Sequence, residues 1–230
     1  NFCEFSLLEP SENSIAQAAW LSRNTYIRLP SISSDIDKSY EAKTWTATKN
    51  EDWDLAVKNA ISWQDEQPFS SRPAMHGGMI ANATLDDYVL AENILRKAEY
   101  SNRGDAQLGN NLAFALAKQN KIEEAIQAIN RINPSTLNGR LEVCIKATEG
   151  LIKFRSGDHE SGRDLYRNAI NTADNYHFAD LIAIAKSYLA IEEMQCNSPT
   201  HTNAFQEAMT EIESLPEPFK SLHKKRLDST

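Results

Sequence analysis

The stretch KIEEAIQAINRINP, residues 121–134, decides how the rest of the chain is read. Ile122, Ala125, Ile129 and Ile132 recur at spacings of three, four and three residues, which is one stripe of a 3.6-residue helix. The charges of Lys121, Glu123, Glu124 and Arg131 fall between them, and Pro134 cannot continue the helix. Just upstream, LGNNLAFALAKQN (residues 108–120) carries a second apolar stripe through Leu112, Ala113, Leu116 and Ala117. Two amphipathic helices joined by a short polar turn make a hairpin, and the question is whether the hairpin recurs.

It does. Thirty-four residues before Ala125, LDDYVLAENILRKAEY places Tyr88, Ala91, Leu95 and Ala98 at matching offsets. Thirty-five residues earlier still, NEDWDLAVKNAISW places Trp53, Ala56, Ala60 and Trp63. Thirty-seven residues after Ala125, SGDHESGRDLYRNAI places His159, Gly162, Tyr166 and Ala169. Each segment has a polar turn, a bulky residue, a small residue three later, and apolar residues four and seven beyond that. The small residue has a steric reason: two helices approach to about 8–10 Å only where small side chains meet at the crossing. Ala56, Ala91, Ala125 and Gly162 are the expected crossing points. Asp52 and Asp87 are expected N-caps, and Gly157-Asp158 is expected to end one helix and cap the next.

A period near 34 residues built on helix–turn–helix units resembles the tetratricopeptide repeat (TPR) family. The closest copy is residues 106–134, with NLAFALAKQNKIEEAIQAINRINP near the family pattern down to Pro134. The resemblance covers residues 38–175 and extends more weakly to 214. In the unit at 143–174, Glu149 and Lys153 stand where apolar residues are usual. The last pair, 177–196 and 200–214, offers Ala204 and Ala208 as rival crossing points across the connection NSPTH, and reads as a divergent or capping repeat. The expected fold is all-α: an α-solenoid of stacked antiparallel helix hairpins, which the resemblance implies coils as a right-handed superhelix. Residues 1–37 are expected to hold a helix capped by Ser11 after Pro10 and a loop between Asn24 and Ser39, with the array at 38–214 and a tail at 215–230. The missing initiator Met and the place of Pro10 point to a longer natural chain.

The bulk numbers agree with such a scaffold. The 230 residues are 41 % hydrophobic and 24 % charged, with 8 Gly and 8 Pro, which disfavours both all-β folds and disorder. A formal charge of −8 argues against nucleic acid as the partner. The one basic cluster, Lys224, Lys225 and Arg226, reads as a solvated helix end. No apolar run is long enough to span a bilayer. The 3 cysteines, Cys3, Cys144 and Cys196, lie far apart, which points to reduced thiols and a cytoplasmic protein. Cys144 reads as a small packed hydrophobe, and the sequon Asn82-Ala83-Thr84 falls inside an expected helix.

No catalytic chemistry assembles. The histidines are scattered without zinc spacing, and His159 fills an apolar helix position. The run His76-Gly77-Gly78 has the composition of an oxyanion-type turn, but no G-x-S-x-G accompanies it, and the glycines are expected to let helices approach closely. Phosphate-binding glycine loops are absent, and the acids of 35–37 and 52–54 read as solvated caps. The expectation is no enzyme activity, no cofactor and no metal.

The TPR resemblance implies that partners lie on the concave face, lined by the first helix of each unit. The implied groove positions are Lys38, Glu41, Trp45 and Lys49; His76, Ile80 and Thr84; Asn110, Asn111, Phe114 and Lys118; and Leu151 and Arg155. Of these, Trp45, Lys49, His76, Ile80, Asn110, Asn111, Phe114, Lys118 and Arg155 are the candidate partner-binding residues. Asn111 stands where the family commonly bonds a ligand backbone. Cys144 and Thr148 occupy places where a carboxylate clamp would need basic residues. The expected function is a protein–protein interaction scaffold that binds a protein or peptide segment. The alternatives are a regulatory or docking arm of an enzyme whose catalytic domain lies N-terminal to the fragment, and a ligand sensor that changes superhelical pitch.

Overall fold

The structure is a computed structural model that describes residues 39–133 and 138–230. The N-terminal helix capped by Ser11, the loop before Ser39, Lys38, Cys3 and Pro134 lie outside the described residues. Among the described residues there are eleven α-helices and no strand. They are α1 (Tyr40–Lys49), α2 (Trp53–Glu66), α3 (Arg72–Ala83), α4 (Tyr88–Glu99), α5 (Ala106–Lys118), α6 (Ile122–Asn130), α7 (Gly139–Arg155), α8 (His159–Asn175), α9 (Ala179–Gln195), α10 (His201–Ile212) and α11 (Phe219–Asp228). Consecutive helices pack as hairpins, α1–α2 through α9–α10, and α3, α5, α7 and α9 pack one on the next as an inner row. The result is a TPR-like α-solenoid.

Local sequence explains the helix boundaries. Asp52, Asp87, Asp105, Asn138 and Asp158 each accept a backbone N–H of the helix they precede, as N-caps do. Every hairpin turn places one residue in the left-handed region: Glu51, Asp86, Asn120, Gly157 and Asn197, with φ of 57°, 54°, 59°, 87° and 51°. The amide of the following residue then bonds a carbonyl in the last turn of the first helix, for example Lys121 to Leu116 and Asp158 to Lys153, both 3.0 Å. This closes the orphan carbonyls of the first helix. Only one of the five is glycine, so the left-handed positions of Glu51 and Asp86 were invisible to turn chemistry alone.

The crossing points lie where expected. Ala56, Ala91 and Ala125 have no exposed surface, and Gly162 is buried. A Cβ at Gly162 would stand 2.6 Å from Phe154 and 3.0 Å from the Gly150 carbonyl oxygen, so α7 and α8 touch backbone to backbone. A Cβ at Gly78 would stand 2.7 Å from Leu95, which makes close helix approach its role. In the last hairpin Ala208 is the buried residue and Ala204 only half so, which settles the two candidates. Bulkier core residues, among them Trp63, Leu95, Leu112, Leu116 and Tyr166, fill the layers between. The second helices are linked on the outside by ion pairs: Asp65 with Lys97, Glu124 with Arg96, and Glu99 with Arg131. Exposed pairs of this kind each contribute little.

The C-terminal segment departs from the sequence expectation. Residues 219–228 form α11, which packs on α9 and α10 and buries His223, Arg226 and Leu227. A basic cluster beside polar residues looks solvated in one dimension; here Arg226 is drawn inward by an acid 140 residues earlier. Cys144 is half-buried against the cluster of Val143, Ala169, Ala173 and Leu181, and burial pushes its thiol pKa up. Asn82 of the sequon is buried, its side-chain amide donating to the Asn111 carbonyl oxygen at 3.0 Å.

Candidate functional site

The candidate groove residues fall into two separate groups, two core positions and the half-buried Asn111 between them. At one end, Trp45 on α1 is 51 % exposed and lies 4.3 Å from the His76 ring of α3, centroid to centroid. His76 Nε2 shares a 2.9 Å hydrogen bond with the Thr48 hydroxyl, and burial lowers its pKa, which favours the neutral ring. Lys49 in the last turn of α1 is exposed, and so is Met79 on α3. This end presents an aromatic, a thioether and a cation to solvent.

Ile80 and Asn110 are buried, at 1 % and 6 % exposure. Helix α3 packs against α2, α4 and α5, and α5 packs against α3, α4, α6 and α7, so little of either surface stays open. The repeat register alone does not say how little. Asn110 Oδ1 has no protein hydrogen-bond partner. Asn111 is half-buried, and its carbonyl oxygen is the acceptor for Asn82.

The second group is central. Phe114 on α5 sits edge-on between Tyr88 of α4 and Tyr188 of α9, with centroids at 6.2 and 5.3 Å. Lys118 Nζ lies over both tyrosine rings, at 5.5 and 5.9 Å, and 3.9 Å from Glu192. Burial lowers the Lys118 pKa while Glu192 works against that fall. Arg155 at the end of α7 bonds the same Glu192 at 2.9 Å and Gln195 at 2.6 Å. Lys118 and Arg155, two of the candidate partner-binding residues, are thus already paired with an acid of this chain.

Helix α11 lies across this cluster. Arg226 Nε stands 3.1 Å from both Asp86 carboxylate oxygens, and its Nη2 donates to the Ala83 carbonyl oxygen at 2.6 Å. Its guanidinium also lies 5.9 Å from the Tyr188 ring centroid. The Tyr88 hydroxyl donates to Asp86 at 2.8 Å, and burial, then Tyr188 and Asp86, push that hydroxyl's pKa well up. His223 shares a 2.9 Å hydrogen bond with Ser187 and stands edge-on to Tyr188. Burial, reinforced by Arg226 and only partly opposed by Asp86, lowers the His223 pKa to about 4.

Sequence reasoning missed Tyr188 and Glu192, although a signal existed. Tyr188 lies 37 residues after Leu151, which lies 37 after Phe114; Glu192 stands in the same relation to Arg155 and Lys118. Carrying the register into the divergent last pair would have found both. His223 and Arg226 left no such signal, because α11 is not a repeat.

Elsewhere a surface cleft of about 380 Å³ is lined by Glu160, Arg163, Asp164, Arg167 and residues 198–200. Among the described residues no group of three His, Cys, Asp or Glu is placed to hold a metal ion, and no helix is long and apolar enough to cross a membrane.

No protein-family model and no curated protein matches the chain. Its fold is similar to a solved structure titled "MamA RS-1 ArsTM double mutant", a TPR-containing protein, with a TM-score of 0.51 and 14 % identity, covering 84 % of this chain and 97 % of the other. At that identity the likeness carries the fold alone, a TPR-like α-solenoid.

Proposed function

We propose that this chain is a protein–protein interaction scaffold that takes a partner segment on the concave face of its inner helices. The observation that carries the reading is the exposed Trp45 and the half-buried Phe114 at one register position of the inner helices, with Lys49 and Lys118 four residues on; Ile80, Leu151 and Tyr188 at that same position are buried. Aromatic anchors bury much area at low entropic cost and tend to dominate interface energy. Trp45, with Lys49, His76 and Met79, forms the open end where contact begins; the central group lies deeper, beside α11. The partner's own charge sets on-rate and salt dependence more than final affinity.

The test is quantitative capture of partners from the native host by wild type, Trp45→Ala, and Trp45→Ala combined with Phe114→Ala, each verified as folded by circular dichroism. Specific partners should weaken with the first variant and be lost with the second. Partners kept at full strength by the folded double variant would place binding on another surface.

A further inference from the structure

Helix α11 is held differently from the repeat helices. They bury alanine and leucine at close crossings; α11 is a ten-residue helix whose buried side chains are His223, Arg226 and Leu227. Two of those three are polar, and Arg226 Nη1 has no hydrogen-bond partner although the residue is only 9 % exposed. The receptor it enters is assembled from distant parts of the chain: the Asp86 carboxylate and Ala83 carbonyl at the α3–α4 turn, and Ser187 and Tyr188 on α9. A carboxylate, a backbone carbonyl and an aromatic face around one guanidinium form an arginine receptor that satisfies Nε and Nη2 and leaves Nη1 without a partner.

We infer that this receptor is a docking site for a basic amphipathic helix of a partner protein, one that carries an arginine next to a leucine, and that α11 occupies it in cis until such a helix displaces it. The inference rests on the concave-face reading above and narrows it to one partner chemistry. Charge complementarity selects the occupant. Helix α11 contains Lys220, Lys224, Lys225 and Arg226 against the single acid Asp228, so without it the chain's formal charge falls from −8 to −11. The acids that would face an incoming helix are Asp86 at the receptor and Glu213, which pairs with Lys220 and Lys224 of α11. Glu192 is shared by Lys118 and Arg155 and so compensates one of those two groove cations, leaving one positive charge against the two acids Asp86 and Glu213. Since α11 is covalently tethered, it competes at high effective concentration, and a partner helix binds weakly until the arginine latch is weakened.

The probe is a fluorescent synthetic peptide of residues 215–230, with an Arg226→Ala peptide as control. Both are titrated by anisotropy against the full chain, against full-length Arg226→Ala, and against full-length Asp86→Asn, with helicity and melting checked for each. Hydrogen exchange of residues 219–228 reads whether α11 is docked. The expected result is at least tenfold tighter peptide binding to the Arg226→Ala chain than to wild type, loss of that gain with the control peptide, and no binding to Asp86→Asn even though its α11 is released. Should Arg226→Ala fail to fold, Leu227→Ser in the full chain releases α11 and takes its place. Absence of peptide binding to a folded Arg226→Ala or Leu227→Ser chain with α11 released overturns the proposal, as does equal binding of both peptides to that chain. A dimer formed on release of α11 also overturns it, by making a second copy the occupant. If the peptide fails while Trp45- and Phe114-dependent partner capture persists, this inference falls alone; if that capture also fails, the concave-face reading falls with it.

Discussion

Acid should undock α11, because His223 is buried in its neutral form. Its pKa is about 4, against an ordinary value of 6.5. The charged and titratable groups around it are Arg226 on α11, Tyr188 on α9 and Asp86 on the α3–α4 turn, with the Ser187 hydroxyl as its hydrogen-bond partner. In the undocked helix the imidazole meets water and titrates normally. Between pH 6.5 and pH 4 the undocked state therefore binds more protons than the docked one, so falling pH favours undocking; above pH 6.5 the docked stability is at its full value. Each unit of pKa difference corresponds to about 1.4 kcal/mol, so docking is weaker by roughly 3 kcal/mol at pH 4 than at pH 7. By pH 5.5 the linkage already corresponds to roughly a tenfold shift toward the undocked state. The assay is hydrogen exchange of residues 219–228 at several pH values, corrected for intrinsic exchange rates, in wild type and in His223→Gln. Protection in wild type should fall about tenfold between pH 7 and 5.5 while α5 and α7 stay protected, and the variant should lose most of that slope. Constant wild-type protection across the range, or an equal slope in the variant, would refute the reasoning.

Gly162→Ala should destabilise the array even though alanine favours a helix by about 1 kcal/mol, because its Cβ meets the backbone of α7 and overpacking costs about 1–3 kcal/mol. A melting temperature lower by about 3–6 °C is expected, whereas an unchanged or raised value would mean that the α7–α8 crossing is not tight. Glu92 is buried among Arg96, Lys121 and Gln119, whose hydrogen bonds overcome the opposing effect of burial and hold its pKa at about 2. Its contribution is full above the ordinary carboxylate range and is lost as pH falls toward 2; Glu92→Gln should cost about 1–3 kcal/mol in urea unfolding at pH 7 and much less at pH 2.5.

The parts of this fold that were legible in the sequence are those carried by contacts within one or two units. Ala56, Ala91, Ala125 and Gly162 mark helix crossings because a small residue between apolar ones at helical spacing has one steric use, and Asp52, Asp87 and Asp158 cap helices through bonds spanning three residues. Repetition then multiplies a weak local signal into a strong one. The open aromatic end at Trp45 and the half-buried Phe114 also follow from that register. Ile80 and Asn110 show its limit: periodicity gives a face, but only the packing of the neighbouring helices fixes how much of that face stays open.

What the sequence alone determined is therefore a TPR-like array with its crossings, caps and repeat register. Tertiary structure alone decided that residues 219–228 pack on α9 and α10, that Arg226 meets Asp86 across 140 residues, and that Tyr188, Glu192 and His223 complete the cluster begun by Phe114 and Lys118. The physical reason is the difference between the two kinds of contact. Repeat contacts recur at a fixed spacing and leave a periodic trace, whereas the α11 contacts occur once, between residues whose separation along the chain carries no pattern, and appear only when folding brings the C-terminal helix to the α3–α4 turn.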